Sequence, residues 1–153
     1  MVLLADSICK QRSQQDIWLV FLQQITVRGE IKLIVAIRGA TTVNDNTLEE
    51  ISSKTVELLT EVMVRNQLSE RDLISIIFTM TDDLNAYYPA AAVREAGLIK
   101  NTPLMCVQES KVLGSLPLCI RLLVHCQSTK LTKDTVKHVY LNEAHKLRPD
   151  LVD

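Results

Sequence analysis

A chain of 153 residues with 47% hydrophobic and 23% charged side chains, and only four Gly and four Pro, has the profile of one compact domain, which excludes the disordered, collagen-like and low-complexity classes. Seventeen basic against eighteen acidic side chains leave a formal charge of -1, so the basic excess that a nucleic-acid binder needs is missing. A mean hydropathy of +0.12 is high for a monomer of this size and points to apolar surface buried between subunits.

Residues 1 to 32 carry Trp18 and scattered glutamines with no clean strand or helix period. They read as an N-terminal extension. A short helix from Gln15 to Gln24, a natural extension and residues translated from an upstream start all remain open for it. It is expected to be poorly ordered or loosely docked, and to bring neither catalytic groups nor much core to a domain spanning 33–153. The first residues lack the basic region and long apolar stretch of a secretory signal, and no apolar run approaches membrane-spanning length. Cys9, Cys106, Cys119 and Cys126 lie 97, 13 and 7 residues apart, which matches neither a metal knuckle nor a secreted disulfide framework. A reducing, cytoplasmic setting is expected.

Leu33-Ile34-Val35-Ala36-Ile37 is a β-branched apolar run that predicts a buried strand stopped by Arg38-Gly39. Thr47-Leu48-Glu49-Glu50 reads as a capping box, followed by a helix ending near Asn66. Leu48, Ile51, Thr55, Leu58, Leu59, Val62 and Met63 share one face of that helix. After the polar turn Ser69 to Asp72, Leu73 to Met80 predicts a second strand. Pro89 and Gly97 bracket a short second helix. Pro103 to Gln108 predicts a third strand, and Leu118 to Gln127 a fourth with Ile120, Leu122, Val124 and Cys126 on its buried face. Thr132 to His138 suits a helical turn or two, and Val139 to Leu141 extends again. The order β-α-β-α-β-β predicts an α+β domain, a mixed sheet with helices on one face.

Five polar residues stand out: Arg38 after the first strand, Arg94 on the second helix, Glu109 after the third strand, Arg121 inside the fourth and Arg148 near the end. Four are arginines, whose planar fork matches carboxylates and is costly to bury without an anion. A convergent set would take a small multi-carboxylate ligand, although arginines such as Arg38 and Arg148, taken singly, are more often surface or ion-pair residues than ligand clamps. Arg121 stands mid-strand between Ile120 and Leu122 and needs a partner, either Glu109 or a ligand. His125, His138 and His145 lack metal-ligand spacing, Cys106 reads as an inert strand thiol, and the common nucleotide and hydrolase motifs are missing. The residues by themselves lead to a domain that binds a small anion.

Taken together, Arg38-Gly39-Ala40-Thr41-Thr42-Val43, Tyr88-Pro89-Ala90-Ala91-Ala92-Val93-Arg94, Cys106-Val107-Gln108-Glu109, Gly114-Ser115-Leu116-Pro117 with Ile120-Arg121, and His138-Val139-Tyr140-Leu141 with Leu147-Arg148-Pro149-Asp150-Leu151 resemble the AroH-type, Bacillus-like monofunctional chorismate mutases. The resemblance runs in order from about Ile34 to Leu151. It implies a homotrimer with active sites between subunits, the Claisen rearrangement of chorismate to prephenate on the way to phenylalanine and tyrosine, and no cofactor or metal. It also implies residue roles. Arg38 and Tyr140 would bind a carboxylate, Arg121 would donate to the ether oxygen, and Glu109 with the Cys106 region would hold the ring hydroxyl. Tyr88, Arg94, Leu147 and Arg148 would complete the pocket. Family members can carry a lysine where this chain has Ala91, and the extension has no counterpart in the pattern. The alternative from another class is a non-catalytic trimeric sensor that binds a dicarboxylate in the same cleft.

Overall fold

The computed structural model describes residues 31–151. The expectation for the N-terminal extension lies outside them, apart from Ile31 and Lys32. Among the described residues, five strands and two α-helices follow in the order β1 (Leu33–Thr42), α1 (Leu48–Arg65), β2 (Leu73–Met80), α2 (Pro89–Glu95), β3 (Leu104–Gln108), β4 (Cys119–Ser128) and β5 (Val139–Tyr140). Short 3-10 turns span Glu70–Asp72, Asn142–Leu147 and Pro149–Leu151. The strands form one mixed sheet in the order β3-β2-β4-β1-β5, in which β4 pairs antiparallel with β1 and β2, whereas β2–β3 and β1–β5 are parallel. This is the α+β architecture expected.

The strand alternation sets the two faces of the sheet. Val35 and Ile37 of β1, Ile76 and Phe78 of β2, and Leu122, Val124 and Cys126 of β4 point to one side, where they join Leu58, Leu59 and Val62 of α1 and Val93 of α2 in a continuous buried core. Gly39 lies on this side too. A Cβ there would meet Leu122 Cδ1 at 3.0 Å and Leu58 Cδ1 at 3.2 Å, so the missing side chain lets α1 sit close against β1.

Several local expectations need correction. β1 does not stop at Arg38-Gly39 but continues to Thr42, because β4 offers an unbroken antiparallel partner from Ser128 back to Cys119. Only half of the capping box forms: the Thr47 hydroxyl accepts from the Glu50 N–H at 3.3 Å, while the Glu50 carboxylate turns to the Asn44 backbone N–H at 3.0 Å and side-chain amide at 3.2 Å. Leu48, assigned to the buried helix face, is exposed in the first turn. The helical turn expected within residues 132 to 138 does form, once, with the Thr135 and Val136 N–H groups donating to the Thr132 carbonyl.

Candidate active site

Among the described residues no helix covers the second face of the sheet, and its polar residues stand in register. Tyr140, Ala40, Arg121, Thr79 and Val107 are successive Cα partners from β5 across β1, β4 and β2 to β3. Side chains of directly opposed residues share a face, and Arg38, two residues before Ala40, shares it as well. A cleft of about 330 Å³ opens here, lined by Arg38, Arg121, Tyr140, Leu147 and Arg148 around the β1 backbone at Gly39 and Ala40. Five of the nine residues singled out in the sequence therefore meet in one place. Glu109 joins them, since its Oε2 accepts a hydrogen bond from Arg121 Nη1.

The cleft is electropositive. Burial and the neighbouring Arg38 charge push the Arg121 guanidinium down from its ordinary value, without bringing it near neutrality at physiological pH. Arg148 is held by Asp150 through two hydrogen bonds of 2.9 and 2.7 Å, which raises its pKa. Arg38 has no ion pair among the described residues. The Tyr140 hydroxyl is buried beside Arg148 and makes no well-formed hydrogen bond among the described residues. Buried donors without partners cost free energy unless something fills the site, and the pattern left open here fits an anion with several oxygens.

The remaining three residues lie elsewhere in the same chain. Cys106 pairs with Phe78, on the helix side of the sheet, and burial pushes its thiol pKa up. With Tyr88, Met80, Leu84, Tyr87 and Gln108 it lines a second cavity of about 510 Å³. Tyr88 is 68% exposed. Arg94 is engaged with its own backbone, its guanidinium donating to the Lys100 carbonyl at 2.5 Å and to the Thr102 carbonyl at 3.0 Å. From the opposite side, Glu70 Oε1 accepts from the N–H groups of Lys100, Asn101 and Thr102, so the α2–β3 connection is clamped by both charges. Those hydrogen bonds hold the Glu70 carboxyl below its usual range.

The family model described as chorismate mutase type I matches residues 34–151. The chain belongs to this family. It is 42% identical over 119 residues to chorismate mutase AroH of Bacillus subtilis, covering 78% of this chain and 93% of that one. Against chorismate mutase AroH of Thermus thermophilus the identity is 43% over 120 residues, covering 78% and 97%. A solved chorismate mutase structure from Clostridium thermocellum superimposes with a TM-score of 0.70 at 51% identity, over 73% of this chain and 98% of that one. As a chorismate mutase the chain is an isomerase. No helix among the described residues is long and apolar enough to cross a membrane.

Two residues beside the cleft escaped the sequence reading. One is Thr79, whose hydroxyl donates to Glu109 Oε1. The other is His138, whose Nδ1 accepts from the Arg38 backbone N–H at 3.1 Å. No spacing rule finds either, because both depend on which strands are neighbours and in what register. An accepting Nδ1 requires a neutral ring with its proton on Nε2. Burial, then the charges of Arg38 and Arg148, push the His138 pKa down. An unfolded chain takes up this proton near pH 6.5, whereas the folded chain resists it, so stability falls as pH drops below about 6.5 until the folded-state pKa is passed. His138→Gln offers an acceptor that does not titrate. Between about pH 7.5 and 5.5 it is expected to lose less melting temperature than the parent, and equal losses would contradict this role.

Proposed function

We propose that the chain converts chorismate to prephenate in the cleft of Arg38, Arg121, Tyr140, Leu147 and Arg148, as a step toward phenylalanine and tyrosine in the cytoplasm. The reading rests chiefly on one observation: three guanidiniums and an unpartnered buried phenol converge on a site where the only carboxylate contacting Arg121, among the described residues, is Glu109. A Claisen rearrangement moves electrons around a ring without transferring a proton. The protein then has two tasks, to hold a compact conformer and to stabilise charge that develops as the C–O bond breaks. Arg38 and Tyr140 bind a substrate carboxylate. Arg121 donates to the ether oxygen, and its fixed positive charge interacts more strongly with the polarised transition state than with the neutral ether, which lowers the barrier. Glu109 accepts from the ring hydroxyl, with the Cys106 region beside it.

Tyr88 and Cys106 lie away from the Arg121 cleft in their own chain, and Arg94 is engaged with its own loop. We propose a homotrimer in which the Tyr88–Cys106 side of one subunit closes the Arg121 cleft of the next. The second sheet face supports this, since no helix covers it among the described residues and Ile34, Met105 and Val107 are exposed on it.

Loss of chorismate absorbance with purified protein tests the function. Turnover supports the reading, and binding without turnover would favour the dicarboxylate sensor. We also propose that residues 1 to 32 are dispensable, because β1 begins at Leu33 and every candidate site residue lies between Arg38 and Arg148. A chain beginning at Lys32 is expected to fold, assemble and turn over at nearly the full-length rate. A large drop in melting temperature or turnover would overturn that.

A further inference from the structure

Glu109 is the first residue after β3, and its main chain is fixed by its N–H donating to the Met80 carbonyl at 2.9 Å. Its carboxylate, at the end of three rotatable bonds, would be free to swing unless both oxygens were held. One is held by the guanidinium, as Arg121 Nη1 donates to Oε2. The other is held by a neutral group, as the Thr79 hydroxyl donates to Oε1. Thr79 can do this because it is the Cα partner of Arg121 on one side and of Val107 on the other, which places its side chain on the open face between the two strands that carry the pair.

The consequence lies in what Arg121 does not do. A free carboxylate meeting a guanidinium favours the two-point, fork-to-fork contact, which would take a second N–H donor from Arg121 and cancel more of its charge. In this structure one hydrogen bond joins Arg121 to Glu109, although the guanidinium has five N–H donors. We infer that Thr79 is a positioning residue which, by occupying Oε1, keeps the Arg121–Glu109 contact single and leaves the remaining Arg121 donors and charge facing the cleft. This inference rests on the reading of the cleft as the chorismate site, and it names a residue outside the substrate contacts themselves.

Thr79→Val preserves shape and β-branching but removes the donor, and Thr79→Ser keeps the donor. Thr79→Val is expected to lower kcat roughly 10-fold with KM changed much less, and Thr79→Ser to stay within about threefold of the parent. In a Glu109→Ala background, Thr79→Val should have no further effect, since no carboxylate remains to be held. A merely structural role for Thr79 would lower activity by the same factor in both backgrounds. A crystal structure of Thr79→Val gives a readout independent of activity, with the Glu109 carboxylate expected to close on Arg121 through two hydrogen bonds. An unchanged Glu109 pose, a Thr79→Val kcat within twofold of the parent, or equal losses with and without Glu109 would overturn the inference. Absence of chorismate turnover in the parent would instead refute the function assigned to the cleft, leaving the crystal structure to decide the carboxylate geometry.

Discussion

Replacing Arg121 by glutamine is expected to lower kcat by roughly 10²- to 10³-fold, the range found when a donor to a developing negative charge is removed. Affinity for substrate should fall far less, because the ether oxygen carries little charge before the bond begins to break. Arg121→Lys should recover part of the loss, since it restores the charge without the fork geometry. Arg121 also pairs with Glu109, and both side chains are partly buried, so each variant needs a melting curve to separate lost chemistry from lost fold. If an uncharged residue at position 121 left turnover within a few-fold of the parent, the electrostatic mechanism would be wrong.

Ile34→Glu is expected to abolish most turnover without touching the cleft. Ile34 sits on the open face of β1 and is 72% exposed in the single chain. A glutamate there costs an isolated subunit little, within about 0.5 kcal/mol for an ordinary surface change. Pressed between subunits, an unpaired charge costs about 3–5 kcal/mol at each contact. With the proposed trimer, the variant should keep its secondary structure, scatter light as a single chain and lose nearly all activity, because the proposed closure of the Arg121 cleft by a neighbouring subunit would be lost. A folded Ile34→Glu monomer with parental turnover would refute the shared site.

Much of the fold was legible because it follows from local patterns. The strict alternation of Ile120, Leu122, Val124 and Cys126 reports one buried face of β4, and all four are buried. Thr47 before an apolar helical stripe, and Pro89 and Gly97 around a short helix, are local signals as well, and Gly97 takes the positive φ of 73° that a helix stop requires. What local patterns do not carry is which strand neighbours which. Arg38-Gly39 looks like a stop until β4 is known to lie alongside, and a glycine at 39 is then explained by the approach of Leu58 and Leu122. The same gap hid Thr79 and His138, whose roles exist only once β2 meets β4 and β5 meets β1. It also hid the separation of Cys106 from Arg121, since the face on which Cys106 lies depends on its pairing with Phe78. In the single chain the Arg94 guanidinium donates to the carbonyls of Lys100 and Thr102, contacts that no local pattern announces.

In the proposed mechanism this site accelerates a rearrangement by conformer selection and fixed charge, with no side chain acting as acid or base. A solvent isotope comparison tests it most directly. With chorismate as substrate, kcat in heavy water, at matched pL and viscosity, should equal kcat in ordinary water to within about 20%, because no proton is in flight in the transition state. A ratio of about two or more, lost on replacing Glu109, would show a proton transferred in the rate-limiting step and would contradict the account.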